Sequence, residues 1–177
     1  MTTFNVPTRN DVSADNQAIF DNLQKGLGFV PNLYASFAHS ETALGNYLTL
    51  QNAKSSLSGK EREVINLVVS QVNDCIYCLS AHTVVGKMQG FTEEQVLNIR
   101  KGESIGDAKL DALANLVRNV AIKRGHADKF VVDAFYAAGY TKGGLVDALM
   151  VIGDKTISNY LHGVTQLAVD FPVASAI

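Results

Sequence analysis

The sequence predicts an all-α fold, a helical bundle in which a CxxC pair begins one of the core helices. Its three prolines are Pro7, Pro31 and Pro172, so no proline interrupts a helix between Asn32 and Phe171. Helix-capping patterns recur through this stretch, and no run alternates apolar and polar residues as a half-buried strand does. Hydrophobic residues make up 47% of the chain and charged residues 18%, which is typical of a globular protein.

We expect one domain over residues 1–177, because no linker is long or polar enough to divide the chain. Residues 1–57 are predicted to form a looser N-terminal arm and helices around the segment GLGFVPNLYASF. Residues 58–100 carry two capping boxes, in which a hydroxyl side chain precedes Glu or Gln by three positions. These are Ser58 with Glu61, and Thr92 with Gln95.

Residues 107–177 continue the helical pattern. Asp107 precedes a segment whose apolar residues recur at helical spacing, which predicts that Asp107 caps this helix. The apolar residues are Leu110, Leu113, Leu116, Val117 and Val120. Glycines occur where the patterns end, at Gly90, Gly125 and Gly139, and glycine favours the left-handed conformation that ends helices.

Charge and hydropathy disfavour several classes of partner. The formal net charge is −2 and basic residues do not cluster, so neither a nucleic acid nor an anionic membrane surface is expected to bind. The polar N-terminus does not resemble a secretory signal, and no apolar run approaches the roughly 20 residues of a membrane helix. A cytoplasmic location is therefore expected, where a CxxC pair more often indicates redox or metal chemistry than a structural disulfide.

The two cysteines, Cys75 and Cys78, are the most informative residues. Asn73 and Asp74 are predicted to end one helix and to cap the next, so that Cys75 lies near the cap and Cys78 in the first turn. Free N–H groups and the positive end of the helix dipole favour an anion at that position. This placement is expected to lower a thiol pKa and to favour a reactive thiolate.

Two further residues complete a candidate catalytic set. His82 lies four residues beyond Cys78 on the same helix face and is expected to contact the thiolate directly or through a water. Glu63 lies on the preceding helix, on a face that is expected to point inward. An antiparallel hairpin would bring Glu63 near His82 and make a Glu–His–Cys proton relay.

Less reactive interpretations of these residues remain open at this point. The cysteines fit two inert buried thiols, since free cysteine is a common small core residue. Cys75, Cys78 and His82 would supply only three ligands, whereas structural zinc takes four. The other histidines, His39, His126 and His162, lack ligand-like spacing. We therefore expect no bound metal.

Glu63, the Cys75–Cys78 pair and His82 resemble, at these spacings, the active-site signature of the AhpD-like alkylhydroperoxidases. These proteins belong to the carboxymuconolactone decarboxylase superfamily. The segments GFVPNLYASFAHSETALGNYLTL and NYLHGVTQLAVDFPVA are similar to the two ends of its peroxidase-related members, so the resemblance covers most of the chain.

The resemblance implies an all-helical homo-oligomer, a trimer or hexamer, that reduces organic hydroperoxides without a cofactor. It implies that Cys78 attacks the peroxide and becomes a sulfenic acid, and that Cys75 resolves this acid to a disulfide. His82 and Glu63 would form the proton relay. A thioredoxin-like or lipoyl-type dithiol would act as reductant.

One position departs from the best-known pattern. Tyr77 stands where the well-studied alkylhydroperoxidase has a histidine, just before the second cysteine. A phenol, with a pKa near ~10, is a poor base at neutral pH, although it can still donate a hydrogen bond. The family's decarboxylases resemble this chain in fold but generally lack the CxxC pair, which argues against lactone decarboxylation.

Two groups of residues outside the motif also allow more than one interpretation. Five aromatic residues are expected in the core or at an interface, and some of them along a substrate tunnel: Tyr34, Phe37, Tyr47, Phe135 and Tyr136. Three charged residues of the last helix are expected to be surface charges or a polar network at an oligomer interface: Asp147, Asp154 and Lys155.

Three functional hypotheses remain: a thiol-dependent hydroperoxide reductase, a general thiol–disulfide exchange protein or redox sensor with weak peroxidase activity, and a helical scaffold with inert cysteines.

Overall fold

The computed structural model describes residues 4–177 and confirms the all-α fold. Within that range it has nine α-helices, one short 3-10 helix (Arg9–Asp11) and no strand. The α-helices are α1 (Ala14–Leu27), α2 (Asn32–Phe37), α3 (Ala43–Gln51), α4 (Gly59–Val72), α5 (Ile76–Met88), α6 (Glu93–Lys101), α7 (Ala108–Ile122), α8 (Lys129–Ala137) and α9 (Lys142–Thr165). Across the described part of the chain, no helix combines the length and the apolar character needed to cross a bilayer.

Helix α4 is the centre of the bundle. It packs against α5, α6, α7 and α9, and every residue from Val64 to Ser70 is buried. A helix surrounded on all sides must be apolar all round, which explains the nearly continuous apolar run in its sequence. The main core lies between α4 and helices α6 to α9, where Leu113, Leu116 and Phe135 are almost fully buried. Each such side chain contributes about 1.5–3 kcal/mol by leaving water.

The predicted helix ends are largely confirmed. The side chains of Ser58 and Thr92 each accept a hydrogen bond from the backbone three residues on, and both capping boxes are complete. Asp107 caps α7 with two such bonds. The three predicted end glycines have positive φ and follow α5, α7 and α8 closely. The helix lengths therefore follow from local signals in the sequence.

The N-terminal helices pack around a smaller cluster of their own, formed by α1, α2 and α3 about Phe20, Ala35 and Leu44. The ring of Phe37, which packs against this cluster, stacks on the ring of Tyr47 with 4.3 Å between the centroids. Helices α2 and α3 also contact α9. The N-terminal helices thereby cover one side of the α5–α9 contact, where the cysteines lie.

The C-terminal segment after α9 runs without helix across the start of α5. Tyr77 donates its hydroxyl proton to Asp170 Oδ1 at 2.6 Å and accepts a hydrogen bond from the Leu33 N–H at 3.1 Å. The other oxygen of Asp170 accepts from the Asn32 N–H at 2.7 Å. The residue between the two cysteines therefore ties α5 to α2 and to the C-terminal segment.

Replacing Tyr77 by Phe should lower the free energy of unfolding by about 1–3 kcal/mol, because the buried Leu33 N–H and one Asp170 oxygen lose their partner. Chemical denaturation followed by circular dichroism measures the change. Tyr160→Phe is the matched control, since Tyr160 is 63% exposed. Equal unfolding free energies for the two variants would show that the hydrogen bonds of Tyr77 to Leu33 and Asp170 do not stabilise the fold.

Candidate functional site

The turn between α4 and α5 places both cysteines at a helix start. Asn73 is the C-cap of α4, and Asp74 takes the left-handed conformation with φ 51°. Aspartate tolerates this conformation better than most residues. Cys75 itself is the N-cap of α5, and its sulfur accepts the Cys78 N–H at 3.3 Å. The prediction that Asn73 and Asp74 cap α5 is therefore wrong, because the left-handed turn passes the capping position to Cys75.

The two thiols are free, and each is 2% exposed. The hydrogen bond from the Cys75 thiol is the largest effect on Cys78, and burial opposes it. The charges of Lys155 and His82 and a hydrogen bond from Asn159 act in the same direction as the hydrogen bond from Cys75. Together they outweigh burial and lower the pKa of Cys78 to about 6. The same contact with Cys78, together with burial, raises the pKa of Cys75. The negative charge is thus favoured on Cys78, with the Cys75 thiol as its hydrogen-bond donor.

Glu63 and His82 form a buried pair across the α4–α5 hairpin. Glu63 Oε2 lies 2.7 Å from His82 Nδ1, and Asn66 donates to Glu63 Oε1 at 2.8 Å. Burial disfavours the charge on Glu63, but these two partners outweigh it, and the pKa of this carboxyl lies below its ordinary value. An ionised carboxylate can only accept, so Nδ1 carries a proton and Nε2 is the ring nitrogen left to exchange a proton with other groups. Such a histidine is arranged to act as a base.

The link from His82 to Cys78 is less direct. Among the contacts of residues 4–177, no hydrogen bond joins the His82 ring to the Cys78 sulfur, although both side chains line the same cavity. The direct contact that the sequence allowed is therefore not formed in this state. The alternative, a proton path through one water, fits the shared cavity.

The cavity has a volume of about 420 Å³ and follows one face of α5. Five of the seven α5 residues that line it recur at helical spacing: Cys78, Ala81, His82, Val85 and Met88. Met88 and Leu27 are 79% and 53% exposed, whereas Cys78 is buried, so the cavity opens near Met88 and ends at the thiol. The other lining side chains are mostly apolar, among them Phe29, Pro31 and Phe171. The cavity suits a small apolar organic molecule.

The aromatic residues divide between the cavity and the core. Tyr34 and Tyr47 line the cavity, and Tyr34 donates to Gln51 Oε1 at 2.6 Å. Phe135 lies in the main core, stacked on Tyr140 at 4.2 Å. The expectation of a core position is therefore confirmed for Phe135, and Tyr34 and Tyr47 line a cavity, whose use by a substrate stays a prediction.

Lys155 is the site residue whose place the sequence did not predict. It and Asp154 are each 3% exposed within this chain, so the expectation of surface charges is wrong for both. Only Asp147 keeps a half-exposed position, where it accepts hydrogen bonds from the Ser56 N–H and hydroxyl. Lys155 lines the cavity beside Cys78. Its spacing from the buried Val151 and Ser158, at i−4 and i+3, was the available signal for an inward position.

Two of the remaining histidines form hydrogen bonds with backbone carbonyl groups outside the site. His162 Nε2 pairs with the Leu167 carbonyl at 3.1 Å, and His39 Nε2 pairs with the Asn5 carbonyl at 2.9 Å. Over residues 4–177, no three His, Cys, Asp or Glu side chains form a group that could hold a metal ion.

The chain is similar to known proteins in part of its sequence and in its fold. Residues 38–119, which include the α4–α5 hairpin, match the model of the carboxymuconolactone decarboxylase family. No curated protein sequence matches the chain.

Several solved structures share the fold. An uncharacterised peroxidase-related protein from Silicibacter sp. TM1040 has a TM-score of 0.83 at 22% identity, over 94% of this chain and 91% of that one. An AhpD-core peroxidase-related protein from Ralstonia eutropha JMP134 has a TM-score of 0.85 at 18% identity, with the same coverage. The debrominase Bmp8, solved with 2,3,4-tribromopyrrole, has a TM-score of 0.79 at 14% identity, over 96% and 92%.

At these identities the structural likenesses establish the fold alone. The family match is a likeness in sequence, and the matched segment includes both cysteines, Glu63 and His82. Together the two findings show that residues 38–119 match the carboxymuconolactone decarboxylase family and that the chain has the fold of the AhpD-like, peroxidase-related structures.

Proposed function

We propose that the protein reduces organic hydroperoxides through Cys78. The observation that carries this proposal is the pairing of a thiolate-favouring Cys78 with a protonated Cys75 at the inner end of an apolar cavity. A peroxide O–O bond is cleaved by a thiolate, and the cavity admits the organic group to which that bond is attached.

The reaction proceeds in two steps. The Cys78 thiolate attacks the terminal oxygen of ROOH, so that an S–O bond forms, the O–O bond breaks and RO⁻ leaves. The alkoxide takes up the proton that His82 had received from the Cys78 thiol. The Cys75 sulfur then attacks the Cys78 sulfenic acid, which forms the disulfide and releases water. In this scheme Glu63 orients His82 and stabilises it when protonated.

The reductant must reach a deeply buried disulfide. With each cysteine 2% exposed, the flat active-site surface of a thioredoxin-like protein does not reach the sulfurs unless the site opens. A slender dithiol of the lipoyl type fits the cavity along α5. The burial therefore favours a lipoyl-type dithiol as electron donor.

The general exchange protein or redox sensor is the second candidate, because a low thiol pKa also suits disulfide exchange. Burial of both sulfurs disfavours it, since exchange with a protein needs an accessible sulfur. An inert scaffold is disfavoured by the opposite pKa shifts of the two thiols.

Homo-oligomerisation is part of the proposal. Exposed apolar side chains recur along α9 at Val146, Met150, Ile157, Tyr160 and Val164. A stripe of this kind on one helix is typical of a surface that another protein covers. A trimer or hexamer, as the family resemblance implies, would bury it.

Cysteine substitutions test the assigned roles. Cys78→Ser should abolish consumption of cumene hydroperoxide, because it removes the attacking thiolate. Cys75→Ser should still form a sulfenic acid at Cys78, since the serine hydroxyl also donates a hydrogen bond, but turnover should stop without a resolving thiol. Peroxide assays and dimedone labelling followed by mass spectrometry measure both. Normal turnover by Cys78→Ser would refute the assignment.

The pKa of Cys78 predicts the pH dependence of its alkylation. The reactive form is deprotonated, so the rate with iodoacetamide should rise with pH, with a midpoint near 6, and should level off above neutrality. At pH 7 about nine-tenths of Cys78 would be thiolate, against a few per cent for an ordinary cysteine with a pKa of about 8.5. Site-resolved mass spectrometry gives the profile, and a midpoint near the ordinary value would contradict the mechanism.

Glu63→Gln should slow turnover about 10²–10⁴-fold, because His82 loses the partner that orients it and general acid–base catalysis typically contributes this much. It should also move the alkylation midpoint of Cys78 upward, since a protonated His82 is less stabilised. Glu61→Gln on the same helix is the matched control, because Glu61 lies at the capping box. Equal kinetics and equal midpoints in both variants would exclude the relay.

A further inference from the structure

Lys155 is a buried cation without an anionic side chain as partner. It is 3% exposed on α9, and its ammonium group takes part in none of the ion pairs or side-chain hydrogen bonds formed within residues 4–177. Burial of an unpaired charge is unfavourable by several kcal/mol unless another charge compensates it. An anion in the space that Lys155 faces is therefore strongly stabilised.

That space is the cavity of Cys78. Lys155 and Ser158 of α9 line it opposite Cys78 and His82 of α5, and no carboxylate is among its lining side chains. The acid nearest to Lys155 in sequence, Asp154, instead lines a separate small pocket with Arg62. Lys155 favours the charge of the Glu63 carboxylate, which His82 already pairs, and that of the Cys78 thiolate, which is the anion inside the cavity.

This anion disappears during the reaction proposed above. As the S–O bond forms and the O–O bond breaks, the negative charge leaves the sulfur and develops on the departing oxygen of RO⁻. The apolar walls keep the local dielectric low, so a fixed cation there stabilises the developing charge much more than water would. The cation that stabilises the thiolate is therefore already in place to stabilise the oxygen to which the negative charge passes.

We propose that Lys155 is a catalytic residue that stabilises the negative charge on the leaving oxygen while Cys78 attacks the peroxide. The inference rests on the proposed hydroperoxide reduction and deepens it. It defines the substrates as peroxides whose leaving group is a poor one, such as an alkoxide, because these gain most from a cation. Peroxyacids, which release a stable carboxylate, gain little.

The decisive comparison uses peroxides that differ in their leaving group. Wild type, Lys155→Met and Lys155→Arg are mixed with tert-butyl hydroperoxide, cumene hydroperoxide, peracetic acid and 3-chloroperbenzoic acid. The rate of Cys78 oxidation is read in single turnover by rapid quenching and intact mass. Each variant is assayed on the plateau of its own Cys78 alkylation profile, so that differences in thiolate fraction do not contribute.

Lys155→Met should slow the two alkyl hydroperoxides by about 10²–10³-fold, the usual loss when one group that stabilises an oxyanion is removed. It should slow the two peroxyacids by less than about tenfold. Lys155→Arg keeps the charge and should restore the weak dependence on leaving group, even if its absolute rates are lower. The surface variant Lys129→Met should match wild type, since the Lys129 side chain is 87% exposed.

The outcomes separate the two proposals. An equal slowing of all four peroxides by Lys155→Met would overturn this inference and leave hydroperoxide reduction standing, because a thiolate or folding defect affects every substrate alike. Failure of wild type to oxidise Cys78 with any of them would overturn the proposed function, and this inference with it. Thermal unfolding of Lys155→Met checks the fold, and a stability no lower than wild type is expected, since Met removes a buried charge.

Discussion

The organisation of the site depends on the need of buried charges for partners. Glu63, His82, Cys78 and Lys155 all lie within or beside an apolar core, where an isolated charge is strongly unfavourable. Each is tolerated because a neighbour carries the opposite charge or donates a hydrogen bond, and the backbone must hold those neighbours in register. The α4–α5 hairpin does this for Glu63 and His82, and α9 does it for Lys155.

Local signals in the sequence predicted much of the architecture. Capping boxes and glycines locate helix ends because they act within one turn, and the i, i+4 spacing placed His82 on the face of Cys78. The inward position of Glu63 was also predictable, since its neighbours on α4 are apolar. These inferences need no knowledge of how distant parts of the chain meet.

What depended on distant contacts was not predictable. Lys155 lies 77 positions beyond Cys78 in sequence, so only the packing of α9 on α5 shows that its charge belongs to the site. The role of Tyr77 was missed for the same reason, because its partners lie in α2 and in the C-terminal segment. The prediction of the α5 cap failed for a local reason. Aspartate is a common capping residue, but Asp74 takes the left-handed conformation, and Cys75 caps α5 instead.

The direction in which the cavity runs has a consequence for the size of what it holds. From Cys78 to its opening at Met88 the cavity follows ten residues of α5, about 15 Å at 1.5 Å per residue. The length of α5 between Cys78 and Met88 therefore sets the length of the cavity. A molecule shorter than this length lies within the cavity, whereas the far end of a longer one projects into solvent past two exposed side chains, Met88 and Leu27. Chain length beyond the opening then adds little binding energy, and the protein distinguishes its ligands by what lies near the sulfur.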